Sequence, residues 1–161
     1  MTLSEVELQL FMPKYYDYLK EFKLPEEQER FTALPIEMLE KTHERHPIVI
    51  LNSNVPVGFF VLHSSARVQE YSDNPNAMLL TAFSINHLEQ GKGYAKMGME
   101  LLPEFVNQSF PSCNEIVLAV NKRNTPAQRL YEKTGYKDTG RRKMGKIGEQ
   151  LILTLAVKKI G

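Results

Sequence analysis

Apolar and polar residues alternate at the start of the chain. Val6, Leu8 and Leu10 interleave with Glu5, Glu7 and Gln9, the period of a half-buried strand. Pro13 then opens a short helix that carries Tyr15, Tyr16, Tyr18, Leu19 and Phe22, an aromatic group expected in the core. Pro25 opens a second helix, with Glu26, Glu27 and Glu29 in a first turn where the helix dipole favours acids. Leu34-Pro35 breaks it, and Ile36, Met38 and Leu39 predict a third helix ending near His46-Pro47. Residues 48–51 predict a strand, 52–54 a turn, and 57–62 the hairpin partner, extended towards Val68. The run 71–76, rich in Ser, Asp, Asn and Pro, is the clearest loop.

The second half is more strongly patterned. Residues 79–86 form an apolar run that fits a mostly buried strand. A glycine-rich stretch comes next, and then Ala95, Met99, Leu102 and Val106, which share one helix face. Pro103 lies inside that pattern and is expected to kink or split the helix, which Phe110-Pro111-Ser112 ends. Residues 116–120 predict another strand. Thr125 is placed to cap a further helix, with Pro126 first inside it, Gln128 as capping-box partner and Gly135 at the left-handed C-terminal position. Residues 136–144, a turn at 145–148 and residues 149–157 predict a closing hairpin. Strands at both ends with helices between them give a mixed α+β sheet in one domain, residues 1–161.

Composition adds bounds rather than a function. The 161 residues are 42% apolar and 24% charged, so a core forms without disulfides or metals. A net charge of +1 gives no general attraction to nucleic acid or to a membrane, and neither is expected as a partner. The single Cys113 has no partner for an internal disulfide and fits a reducing compartment. The N-terminus has Glu5 and Glu7 in place of a basic leader, and no apolar run nears the ~20 residues of a membrane span, so the cytoplasm is the expected location.

The candidate chemistry lies in the glycine-rich stretch Gln90-Gly91-Lys92-Gly93-Tyr94-Ala95. Strand, short glycine loop and helix together aim free backbone N–H groups at an anion. Tyr94 stands where a P-loop needs its lysine, and Lys96 where a dinucleotide fingerprint needs its third glycine. The stretch does fit Gln/Arg-x-x-Gly-x-Gly/Ala, and so resembles the pyrophosphate loop of the GNAT family of acyl-CoA N-acyltransferases. A second stretch comes after it in the family's order: Asn124, Ala127, Leu130-Tyr131 and Gly135-Tyr136 are similar to Asn-x-x-Ala-x-x-Leu-Tyr-x-x-x-Gly-Phe/Tyr. The resemblance covers about residues 47–157. It implies a GNAT-type α+β fold: a central, twisted, mixed but mostly antiparallel sheet with helices on both faces.

It also implies acetyl-CoA as co-substrate, no metal, and direct attack by a primary amine in a ternary complex. By the resemblance, Gln90, Gly91, Lys92, Gly93, Tyr94 and Ala95 hold the pyrophosphate, with Lys96 adding charge. Phe83, Ser84 and Ile85 offer backbone groups to the pantetheine amides and one N–H to the thioester carbonyl. Asn124 and Ala127 border the pantetheine arm, while Arg129 and Lys133 are placed for the 3′-phosphate. Tyr131 matches the family tyrosine that protonates the leaving thiolate; a phenol near pKa ~10 keeps its proton at pH 7.

The amine is the harder partner. A lysine-like amine with pKa ~10.4 costs about 4.6 kcal/mol to neutralise at pH 7. Many relatives place a carboxylate in the central strand, yet no Asp or Glu stands between Ala77 and His87. Ser84, Asn86 or His87 remain as groups that could order a relaying water, with Glu70 as a remote alternative. The acceptor is expected to be a small amine or polyamine, with Glu26, Glu27, Glu29, Glu70 and Asp73 as candidates for an acidic pocket. A peptide amine, a non-catalytic CoA-binding module and a homodimer all stay open at this point. The sequence identifies no activating group for Cys113, His43 and His46 make a weak metal pair, and Arg141-Arg142-Lys143 reads as a solvated strand edge.

Overall fold

The β-branched and aromatic residues at 48–51 and 57–62 predict a hairpin, and this hairpin is the spine of the fold. In the computed structural model, which describes residues 5–157, β2 (Arg45–Asn52) and β3 (Val55–His63) pair antiparallel around a turn where Ser53 and Asn54 take positive φ. β1 (Val6–Leu10) joins the outer edge of β2, and β4 (Ala77–Ile85) the other edge of β3. β5 (Glu115–Asn121), β6 (Lys137–Gly145) and β7 (Gly148–Ala156) complete one sheet in the order β1-β2-β3-β4-β5-β7-β6. Every neighbouring pair is antiparallel except β4 and β5.

Helices cover both faces, as the resemblance implies. On one face α3 (Tyr94–Ser109) buries Met99, Leu102 and Val106 against Ile48, Ile50, Phe60 and Leu80, and α4 (Thr125–Lys133) adds Tyr131. Each fully buried side chain of this size contributes about 1.5–3 kcal/mol. Gly98 sets how close α3 can come, because a Cβ there would lie 2.7 Å from Ile50 Cδ1. On the opposite face Tyr15, Leu19 and Phe22, from α1 (Tyr16–Lys20) and its flanks, pack on Val49, Leu51, Phe59 and Val61. The short α2 (Glu26–Glu29) comes next and leads towards the open end of the sheet.

Local chemistry overrides several sequence expectations. No long helix forms over residues 36–46: a 3₁₀ turn at Pro35–Glu37 gives way to irregular chain and a turn before β2, and His46 and Pro47 lie inside β2. His43 and His46 therefore share no helix face. β3 ends at His63, and Glu70 belongs to a 3₁₀ turn rather than a strand. Pro103 neither splits nor ends α3, which runs unbroken through it. The cap of α4 is Asn124, whose Oδ1 accepts from Ala127 N–H at 3.4 Å, so Thr125 is already inside the helix. Gln128 makes no capping box; its amide donates to the carbonyls of Asn121 and Lys122 at 3.0 and 2.8 Å. Tyr15 and Phe22 are core, but Tyr16 and Tyr18 are about half exposed. Gly135 takes the expected left-handed φ of 101°.

Candidate active site

The parallel pair is where the sheet comes apart. β4 and β5 pair only at Ala77–Glu115, Met78–Ile116 and Leu79–Val117. Beyond Leu79, β4 keeps its hydrogen bonds to β3 as far as Ile85, while β5 keeps its bonds to β7 as far as Asn121. The two strands thus diverge, and their facing backbone edges line a cleft of about 940 Å³. Ala82 takes φ of 57° at an irregularity opposite Phe60, which adds one residue to β4 and re-aims Phe83 to Ile85. Unpaired edges at the mouth of a sheet are suited to an extended ligand carrying amides.

At the end of β4 the chain turns through a 3₁₀ turn at His87–Glu89 into α3. Gly91 and Gly93 have φ of 80° and 87°, a region costly for any residue with a Cβ. Gly93 is the N-cap of α3, and no side chain caps the helix there. Its first N–H groups are left facing the cleft, where the helix dipole favours an anion. Gln90 fixes the loop: its amide donates to the Ile85 carbonyl at 2.9 Å and to Gln28 Oε1 at 2.9 Å, and accepts from Gln28 Nε2 at 3.1 Å.

Tyr131 closes the cleft from α4. It is 6% exposed, with the Phe83 ring 6.3 Å away edge-on and the Tyr136 ring at 5.4 Å. Burial raises the pKa of its phenol well above the ordinary value, so it stays protonated at any working pH. Opposite it, β4 turns two hydroxyls towards α1. Ser84 Oγ is buried and has no hydrogen-bond partner among the described residues. Thr81 Oγ1 lies 2.7 Å from His63 Nε2. His63 is buried on β3, and its pKa is pushed down to about 4, first by burial and then by the charges of Arg67, Arg45 and His46.

The structure gathers most of the residues singled out from sequence. Phe83, Ser84, Ile85, Gln90, Gly91, Gly93, Tyr94, Ala95, Asn124, Ala127 and Tyr131 all line the one cleft. Lys92 does not; it is exposed and paired with Glu89 at 3.1 Å. Lys133 is exposed on α4, away from the lining. Of the five acids expected in a polyamine pocket only Glu27 lies on the wall, and Glu70 is paired instead with Lys143 at 3.4 Å. Among the described residues no group of three or more His, Cys, Asp or Glu is placed to hold a metal ion.

Sequence reasoning missed Gln28, Phe31 and Thr81 on this wall, and the tip of the β6–β7 hairpin with Lys146 and Ile147. That tip is pinned over the cleft by Arg123, whose guanidinium donates to the Ile147 carbonyl at 2.6 Å. Thr81 was visible as a polar residue in an apolar run. The others carried no local signal.

Residues 10–136 match the family model described as the acetyltransferase (GNAT) family. The chain belongs to the GNAT family. It is 46% identical over 154 residues to the uncharacterized N-acetyltransferase YbbJ of Bacillus subtilis (strain 168), covering 93% of this chain and 96% of the relative. Solved structures share the fold at low identity. The aminoglycoside acetyltransferase AAC(6′)-Ib bound to paromomycin and acetyl-CoA superposes with a TM-score of 0.74 at 16% identity, over 94% of this chain and 93% of that one. The spermidine N-acetyltransferase of Vibrio cholerae, bound to CoA and spermine, gives 0.71 at 13% identity over 96% and 97%. This GNAT protein is accordingly an acetyl-CoA-dependent N-acetyltransferase.

Proposed function

We propose that this enzyme transfers the acetyl group of acetyl-CoA to a primary amine on a small molecule, by direct attack in a ternary complex. The observation that carries this reading is the single cleft shared by the splayed strand ends, the uncapped start of α3 and the buried Tyr131. The loop 90–95 receives the pyrophosphate, with Gly91 and Gly93 letting the backbone approach. Backbone groups of Phe83, Ser84 and Ile85 take the pantetheine amides and polarise the thioester carbonyl. Tyr131 protonates the departing thiolate; burial keeps the phenol in the protonated form that a donor must start from. Asn124 caps α4 and so shapes the cleft wall, and Ala127, the donor to that cap, leaves room beside it.

The acceptor enters along α2 and the residues after it, beneath the pinned β6–β7 tip. Glu27 and Glu89 are the acids on the wall, Glu89 paired with Lys92, and Arg30, Arg123 and Lys146 are also there, so the charge favours an amine with few positive charges over a polyamine. A screen of primary amines, with thiol release as readout, tests both levels. Turnover of a monoamine above any polyamine is the expected result. A clear preference for spermidine-like acceptors would reject the finer reading, and no turnover with any small amine would reject the whole.

A further inference from the structure

The reaction needs a group that receives the proton leaving the amine, and β4 supplies no carboxylate for it. We propose that Thr81 Oγ1, backed by His63 Nε2, is that proton acceptor. The inference rests on the acetyl-transfer reading and adds the residues that complete it.

Geometry comes first. Thr81 and Ser84 pair across the strand with Val61 and Phe59, whose side chains lie in the cluster under α1. Leu80 and Ile85 belong to the opposite cluster, under α3. The two hydroxyls therefore occupy the α1 face of β4, on either side of the irregular Ala82, and both residues line the cleft. Thr81 is partly open to the cleft, whereas His63 is 4% exposed and stands behind it, one strand away and diagonal in register. Their 2.7 Å separation is a hydrogen bond, and Thr81 is the only side-chain partner of His63 among the described residues. Glu70, the remote carboxylate, is held by Lys143 outside the cleft lining.

The chemistry then has a direction. In the tautomer with Nε2 unprotonated, Thr81 donates its hydroxyl proton to His63 and turns its lone pairs to the cleft. The amine nitrogen bonds to the thioester carbon, and the carbonyl becomes an oxyanion. The nitrogen's proton passes to Thr81 Oγ1 as the threonine's own proton passes to His63 Nε2. The oxyanion collapses, the C–S bond breaks, and the sulfur takes its proton from Tyr131. Once product leaves, the imidazolium gives up its proton by the same route, and solvent returns a proton to the Tyr131 phenolate.

His63 is too weak a base to strip a free ammonium of pKa ~10.4. It is not asked to, because the nitrogen turns strongly acidic once bonded to the acyl carbon. His63 is neutral at working pH, so its lone pair is free for that proton, and its lowered pKa makes the later release easy.

The test uses the amine substrate found in the screen and three variants. Thr81→Val removes the oxygen at nearly constant volume and should lower kcat roughly 10²-fold, with KM for acetyl-CoA little changed. Thr81→Ser should recover most of kcat. His63→Gln should also lower kcat, yet add little in the Thr81→Val background, since it acts only through Thr81. Thr81→Val retaining more than half of kcat would overturn the relay while leaving the proposed function intact. Losses that multiply in the double variant would reduce His63 to packing and overturn its role. Absence of turnover in the wild type would overturn the proposed function, and the relay with it.

Discussion

Gln28 and Gln90, 62 positions apart, exchange amide hydrogen bonds, each Nε2 donating to the other's Oε1 at 3.1 and 2.9 Å. One sits on α2, in the cleft wall; the other begins the glycine loop at α3. The pair ties α2 to the glycine loop across the cleft. Gln28→Ala removes both bonds and leaves the Gln90 side chain bonded to the Ile85 carbonyl alone. At about 0.5–1.5 kcal/mol per neutral bond the two together are worth about 1–3 kcal/mol, so acetyl-CoA affinity should fall by up to about 5–150-fold, and KM for the acceptor should rise with it. Calorimetry with acetyl-CoA checks the first effect. Unchanged affinity would mean that the pair is packing alone.

The loop glycines should respond differently. At Gly91 an added Cβ meets nothing within 4 Å, so Gly91→Ala carries only the backbone cost of its positive φ, about 1–2 kcal/mol. At Gly93 a Cβ would lie 3.4 Å from Met97 Cε and at the start of the helix. Gly93→Val should weaken CoA binding well beyond Gly91→Ala, with kcat at saturation less affected. Equal affinities in the two variants would count against a phosphate cradle at residues 90–95.

Tyr131→Phe should lower kcat by about 10²–10⁴-fold, or about 2.7–5.5 kcal/mol of barrier, with acetyl-CoA affinity little changed. Burial raises the pKa of both Tyr131 and Tyr136. No loss of activity from tyrosine ionisation is therefore expected up to the ordinary phenol range near pH ~10. The unfolded chain ionises there first, so stability present below that pH declines as pH rises further. A Tyr131→Phe enzyme that keeps most of its kcat would assign the proton to water.

His63 gives the opposite pH signature. Its folded pKa of about 4 lies below the ordinary 6.5, so the unfolded chain binds more protons between those values. Stability is full above pH ~6.5 and falls as pH drops towards ~4, by at most about 3 kcal/mol. His46, also lowered by burial and by Lys41 and His43, acts in the same direction. Urea unfolding of wild type and His63→Gln at neutral and acid pH isolates the contribution of His63. Parallel pH curves for the two proteins would show that His63 is not buried as described.

Much of the fold was legible in the sequence because it is set by local rules. The alternation at Val6, Leu8 and Leu10, the apolar runs of β2 to β5, the helix face of Met99, Leu102 and Val106, and Gly135 as a stop each depend on a few neighbouring residues. The loop 90–95 and the Asn124 to Tyr136 stretch named the family for the same reason: their chemistry needs fixed residue types at fixed spacing. Errors arose where a short segment is decided by its partner. Residues 36–46 have helical spacing, yet Arg45, His46 and Pro47 are drawn into β2 by the edge of β3, and Asn124 wins the cap from Thr125 by one hydrogen bond.

What only the tertiary structure decided lies across strands. The splay after Leu79 arises from how β4 and β5 are held by different neighbours, and no residue within either strand reports it. The Gln28–Gln90 pair and the Arg123 pin to Ile147 join residues that the sequence keeps far apart. His63 shows the limit most clearly. In the chain it is a polar residue ending an apolar strand. Its contact with Thr81, 18 positions on, exists because antiparallel register sets the two on one face, and burial there sets its charge. Sequence fixes residue types and local periods; which polar groups meet, and in what dielectric, depends on register and packing.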